Sequence, residues 1–137
     1  MSTDVVNLKQ QIIRGEKSDW FTILPTVTGL AVDTSGTMYT HPDPNIGLVL
    51  RVVTASETGA WTATINLTTV DPAGNTVIWY TSGAITTATT TMFYIDPAGG
   101  TNALFTIVPF KIPKNFGVLV DVTGTDTMNT TIYGCYV

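Results

Sequence analysis

The chain reads as all-β, an antiparallel β-sandwich of jelly-roll or immunoglobulin-like type with about eight or nine strands, preceded by an N-terminal arm. Three observations predict this. Threonine makes up about a fifth of the residues and alternates with apolar ones, most cleanly in Trp61, Thr62, Ala63, Thr64, Ile65, Asn66, Leu67, Thr68. A period of two gives each strand a dry face and a hydroxyl-covered face. From Trp20 onward, runs of this kind are separated by proline, glycine and aspartate at short, regular intervals. At 137 residues the chain is long enough for one two-layer core without disulfide or metal staples, so it divides into an arm, 1–19, and one sandwich domain, 20–137.

The arm is patterned differently from the rest. It holds six of the sixteen charges, with Val5, Leu8 and Ile12 at helix-compatible spacing, Val6 and Ile13 beside them, and Gly15 as a stop. So short a helix is marginal alone in water and needs a surface, which favours an arm that orders on a partner. The first strand is then expected over Trp20–Leu24, ended by Pro25, with a second over Gly29–Asp33 and a Ser35, Gly36 turn into Thr37–Thr40. The two prolines of His41–Asn45 supply no ladder N–H, so that stretch is a rigid loop.

Ile46–Ala55 is apolar on both faces and is expected to be a central strand. Trp61–Val70, Thr76–Ser82, Ile85–Ile95, Ala103–Phe110, Phe116–Thr123 and Met128–Val137 follow. The sequence Asp71, Pro72, Ala73, Gly74 recurs as Asp96, Pro97, Ala98, Gly99. Aspartate accepts from the chain two residues on, proline presets φ and glycine supplies a left-handed residue, so both copies read as the same hairpin connector. Turn geometry accounts for both aspartates without a calcium ion.

Only 12% of residues are charged, against about 25% in an average soluble domain. Sparse surface charge suggests that much of the surface is covered in the working assembly. The formal charge of −4 and six scattered basic residues argue against nucleic acid as a partner. No apolar run approaches the ~18 residues of a membrane span, and Met1–Asn7 has no signal-peptide pattern, so no membrane partner and synthesis in a cytoplasm are expected. That context also removes glycosylation from the two N-x-Thr triplets at Asn66 and Asn129.

Chemistry-bearing patterns are missing. No Gly-rich phosphate loop, metal-spaced His or Cys cluster or nucleophile elbow appears, so no catalytic, cofactor-binding or metal residues are assigned and the chain is not expected to be an enzyme. Cys135 is the one thiol and His41 the one imidazole; a packed thiol and a loop histidine are the simpler readings. Asp121 lies mid-strand between Val120 and Val122, facing solvent or an interface, with an ion pair to Arg51 across the sheet or to a partner subunit as its functional reading. Two carboxylates meeting in a pocket around Asp33 and Asp121 would revive an enzyme. Trp61 belongs to the core. Of the adjacent Trp79 and Tyr80 one is expected to point outward, as is one of Phe93 and Tyr94. With no accompanying cluster of sugar-binding polar residues, Arg51, Trp79, Tyr80 and Asp121 are read as a possible protein interface.

The run Gly47–Thr54, then Trp61–Val70, then Asp71–Thr76, and later Asn115–Val122 resembles the capsid decoration, or cement, proteins of tailed-bacteriophage heads, over residues 46–137. The resemblance implies a structural virion protein of β-sandwich type. It implies a homotrimer bound to the major capsid protein on the capsid surface, stabilising the shell, with the N-terminal arm reaching over neighbouring capsomers. On that reading Val5, Val6, Leu8, Ile12 and Ile13 are capsid contacts, and Lys9, Arg14 and Lys17 pair with acidic shell surface. The rival is a carbohydrate- or receptor-binding sandwich module of a phage tail or fibre, which predicts clustered exposed Trp and Tyr, with Trp79, Tyr80 and Tyr39 the candidates.

Overall fold

The computed structural model describes residues 20–30, 33–43, 45–56, 59–100, 105–124 and 126–136. The expected arm, with Val5, Val6, Leu8, Lys9, Ile12, Ile13, Arg14 and Lys17, lies outside the described residues. The rest is all-β: β1 (Phe21–Leu30), β2 (Thr34–Ser35), β3 (Tyr39–Thr40), β4 (Leu48–Ser56), β5 (Trp61–Val70), β6 (Thr76–Thr81), β7 (Thr89–Ile95), β8 (Thr106–Val108), β9 (Asn115–Gly124) and β10 (Met128–Tyr136).

The strands form two sheets, β1-β10-β4-β7-β8 and β2-β9-β5-β6, with β3 also on β9. First pairs with last and so inward: β1 with β10, β2 and β3 with β9, β4 with β7, β5 with β6, all antiparallel. This is one long hairpin, rolled so that β10 also meets β4 and β9 also meets β5. A rolled hairpin of this connectivity is a jelly roll, which decides between the two expected sandwich types.

The core lies between the sheets. Leu48, Leu50 and Val52 of β4 face Trp61, Ala63, Ile65 and Leu67 of β5 and Phe116, Val118, Val120 and Val122 of β9. Each side chain of Val, Leu or Phe size buried there contributes about 1.5–3 kcal/mol before the entropy of ordering it is counted. A second, smaller cluster of Val49, Tyr94, Phe105 and Cys135 covers the outer side of the first sheet. It explains why β4 is apolar on both faces. Of Phe93 and Tyr94, Tyr94 does point outward, but it is buried under this cluster.

Two expectations are corrected. Pro25 does not end the first strand: β1 runs through it to Leu30, with register shifts on either side of Leu24 and before Leu30. Strand β1 is the edge of its sheet, where a missing N–H is tolerated. The expected antiparallel sandwich is found, with one short parallel pair added to it where β8 joins β7. The two Asp-Pro-Ala-Gly turns share local geometry but not role. Asp71 Oδ1 accepts from Ala73 and Asn75 N–H at 2.9 and 2.8 Å, and Gly74 (φ 87°) donates to the Asp71 carbonyl, closing the β5–β6 hairpin. Asp96 Oδ1 accepts from Ala98 N–H at 3.0 Å, and Gly99 (φ 72°) donates to the Asp96 carbonyl, yet this turn leads into the parallel β8.

Candidate functional site

Strand alternation sends Arg51 and Asp121 to opposite exteriors. On β4 the buried residues are Leu48, Leu50 and Val52, so Arg51 faces out from the first sheet; on β9 they are Val118, Val120 and Val122, so Asp121 faces out from the second. The expected ion pair between them within one chain is ruled out by the full thickness of the sandwich. Arg51 instead borders a groove of about 370 Å³ with Trp20, Val53 and Tyr133.

Asp121 has an acidic neighbour. Thr34 pairs with Val120 and Ser35 with Leu119, so the antiparallel register brings Asp33 opposite Asp121, while Thr64 of β5 flanks it on the other side. A hydrogen bond between the two carboxyl groups raises the Asp121 pKa above the usual aspartate range, the Asp33 charge raises it further, and desolvation adds to both. The two carboxylates thus meet, but on an exposed sheet face: neither lines any of the three main concavities found among the described residues.

Trp79 and Tyr80 break the alternation expected of them. The β5–β6 register shifts between Leu67 and Thr68: Leu67 opposes Tyr80, Thr68 opposes Ile78, and Trp79 is the extra residue of a bulge. Both aromatics are half-buried and pack against the main core. The ring of Phe110 stands edge-on to Trp79 at 5.7 Å between centroids. Trp79 Nε1 is buried without a hydrogen-bond partner. In place of the expected outward ring, the edge presents Val77 (41% exposed), Ile78 (49%) and Phe110 (46%). Sequence reading missed these three, although an Ile and a Val beside Trp79 on a strand next to a sharp hairpin were a readable signal.

Beside this edge the open side of the sandwich forms a cleft of about 340 Å³ with Tyr80, Ile85 and Phe93 at its base and Thr86, Thr89 and Thr106 among its lining. His41 is buried at the opposite side, against Phe116 and Tyr136. Its Nε2 lies 3.1 Å from the Ile46 carbonyl, so that nitrogen carries the proton and donates it. Cys135 and Tyr136 are consecutive on β10 and face opposite ways, Cys135 into the outer cluster and Tyr136 towards His41. The thiol and the imidazole therefore lie on different sides of a sheet. Among the described residues no three His, Cys, Asp or Glu side chains gather to hold a metal ion.

No family model matches the chain, and no curated protein matches it. Among solved structures, a chain in the structure of infectious bursal disease virus, Gx strain, is similar over 85% of this chain and 32% of its own length, at 9% identity and a TM-score of 0.46. The present chain thus spans about a third of that viral chain.

Proposed function

We propose that this chain is a non-catalytic structural protein of a virion, which binds the major capsid protein on the outside of a tailed-phage shell as a homotrimer and stabilises it. The observation that carries the reading is the character of the sandwich exterior. On β5 the half-buried outward residues are Thr62 and Thr64, with Asn66 and Thr68 on the same face but buried; on β10 the outward residues include Asn129 and Thr131. Away from Asp33 and Asp121 on one face and Arg51 on the other, these side chains are small, uncharged and already bonded along the sheet: Asn66 donates to the Leu119 carbonyl and accepts from Thr81, and Thr26 and Thr131 share a hydroxyl contact. A surface of this kind, sparse in charge, packs against protein with little desolvation cost, and the two carboxylates that do meet on it, Asp33 and Asp121, line none of the concavities described above.

A ligand of the assembled shell alone stabilises it by mass action, and three contacts on one trimer reinforce one another through effective concentration. The arm, 1–19, is the proposed capsid-binding element. Against the rival receptor-binding module stands the inward packing of Trp79 and Tyr80, which withdraws the aromatic platform a sugar needs.

The test is cryo-electron microscopy of particles purified from the cells that make the chain, with and without residues 1–19. Density on the shell that disappears with the arm, while the isolated sandwich keeps its β-sheet circular dichroism, is the expected result. Density at the tail or fibre, or absence from particles, overturns the virion-surface reading; undiminished attachment without the arm overturns the arm's role.

A further inference from the structure

We infer that the free edge of β6, together with Phe110, is the surface on which a second copy of this chain docks. Among the described residues, strand β6 is the last of its sheet and pairs only with β5, so its other side has no strand partner there. Edge strands ordinarily carry charge or proline as protection. This one, Thr76-Val77-Ile78-Trp79-Tyr80-Thr81, carries neither. Of the four large apolar side chains exposed among the described residues, three flank this edge: Val77 and Ile78, on opposite faces of the strand, and Phe110, whose ring stands edge-on to Trp79. A cluster of this kind marks an interaction site, where isolated exposed apolar residues do not.

Charge selects the occupant. No Asp, Glu, Lys, Arg or His occurs from Pro72 to Ile95, whereas the rest of the sandwich domain, residues 20–137, has seven acidic residues against three basic ones. Two copies of so acidic a body repel through most approaches, and the neutral edge lets them meet without apposing carboxylates. A basic partner would be drawn to Asp33 and Asp121 instead. The bulge at Trp79 interrupts the regular ladder of the edge, so the contact is made by side chains and closes on itself rather than propagating as a continuous sheet. The inference rests on the proposed function only for the number of copies; the contact itself stands on the edge.

The test is sedimentation equilibrium of the full chain across the micromolar range, alongside Ile78→Asp, Phe110→Asp and, on the outer face of the other sheet, Val53→Asp. We expect the unaltered chain and V53D to associate alike, and I78D and F110D to lose about tenfold or more in association constant, as hot-spot side chains do, while keeping the native circular dichroism. A monomeric unaltered chain, or I78D and F110D associating normally, overturns the inference. Should the charged variants fail to fold, Ile78→Ser and Phe110→Ala decide: weakened association with the native circular dichroism kept supports the contact, and unchanged association refutes it. Loss of shell attachment with association intact would count against the virion reading alone.

Discussion

Two inward-facing threonines in cross-strand register show how much a single hydroxyl depends on its surroundings. Thr54 and Thr130 are Cα partners on β4 and β10, and both are almost fully buried. Thr54 Oγ1 lies within hydrogen-bond reach of the Thr87 and Thr89 carbonyls at 2.9 and 3.2 Å and accepts from the Thr89 N–H; Thr130 Oγ1 is buried with no partner. Thr54→Val therefore strands backbone groups and is expected to destabilise by about 1–3 kcal/mol, whereas Thr130→Val removes an unmet polar group and is expected to be neutral or stabilising. Urea unfolding of the two variants checks the contrast. At Asp121 the folded state holds its proton more tightly than the unfolded chain, because Asp33 accepts or repels across the β2–β9 register. Stability is thus favoured by this group at low pH and falls as pH rises from the ordinary aspartate value, about 3.9, through the raised folded value, staying reduced above it. Asp121→Asn should stabilise the protein at neutral pH and flatten that part of the profile in denaturant titrations from pH 4 to 8; an unchanged slope would refute the coupling. Tyr94 titrates far from its ordinary range as well, pushed up to about 12 by burial and, secondarily, by the Asp96 charge. Stability it contributes is present below pH 10 and is lost as pH rises from there towards 12.

Strands were legible where one physical cause set them. Alternation alone places β5 at Trp61–Val70, and the doubly apolar run of Ile46–Ala55 correctly puts β4 inside its sheet. Where a second cause intervened, local pattern misled. Pro25 breaks a strand in general but not one at an edge, and edge position is decided by strands far along the chain. Nothing within Trp79 and Tyr80 announces a bulge; it comes from the pairing of Tyr80 with Leu67 and of Ile78 with Thr68, which leaves Trp79 over. The three-residue β8 is parallel because of where the chain returns after Asp96, which no propensity encodes. Arg51, Asp121 and Asp33 could each be singled out, but which two meet was fixed by register and by which sheet each strand joins. A further element-level expectation concerns Gly134 on β10, which pairs with Phe21 of β1 and Leu50 of β4. A Cβ there would come within 2.7 Å of Phe21 Cζ and 2.8 Å of Ile23 Cδ1. Gly134→Ala should overpack this junction and cost about 1–3 kcal/mol, visible as a lowered unfolding midpoint.

At the scale of the molecule, the order of the pairings matters more than any one contact. The outermost pairing of the rolled hairpin joins Phe21 to Gly134, near the two ends of the sandwich domain, and β4 waits for the same final strand on one of its sides. Contacts so distant in sequence close slowly, and the main refolding phase from denaturant is expected to take milliseconds to seconds, which stopped-flow tryptophan fluorescence would follow. A chain cut after Asp126 should show no cooperative transition at all. During synthesis this has a cost that the finished protein never shows. Leu48, Leu50 and Val52 are on the nascent chain, uncovered on one flank, until the ribosome has delivered Met128 to Tyr136. The yield of this protein is therefore expected to respond to chaperone supply during the interval before β10 emerges, and co-expression of a chaperone that holds nascent chains should raise it where a stabilising substitution in the finished sandwich does not.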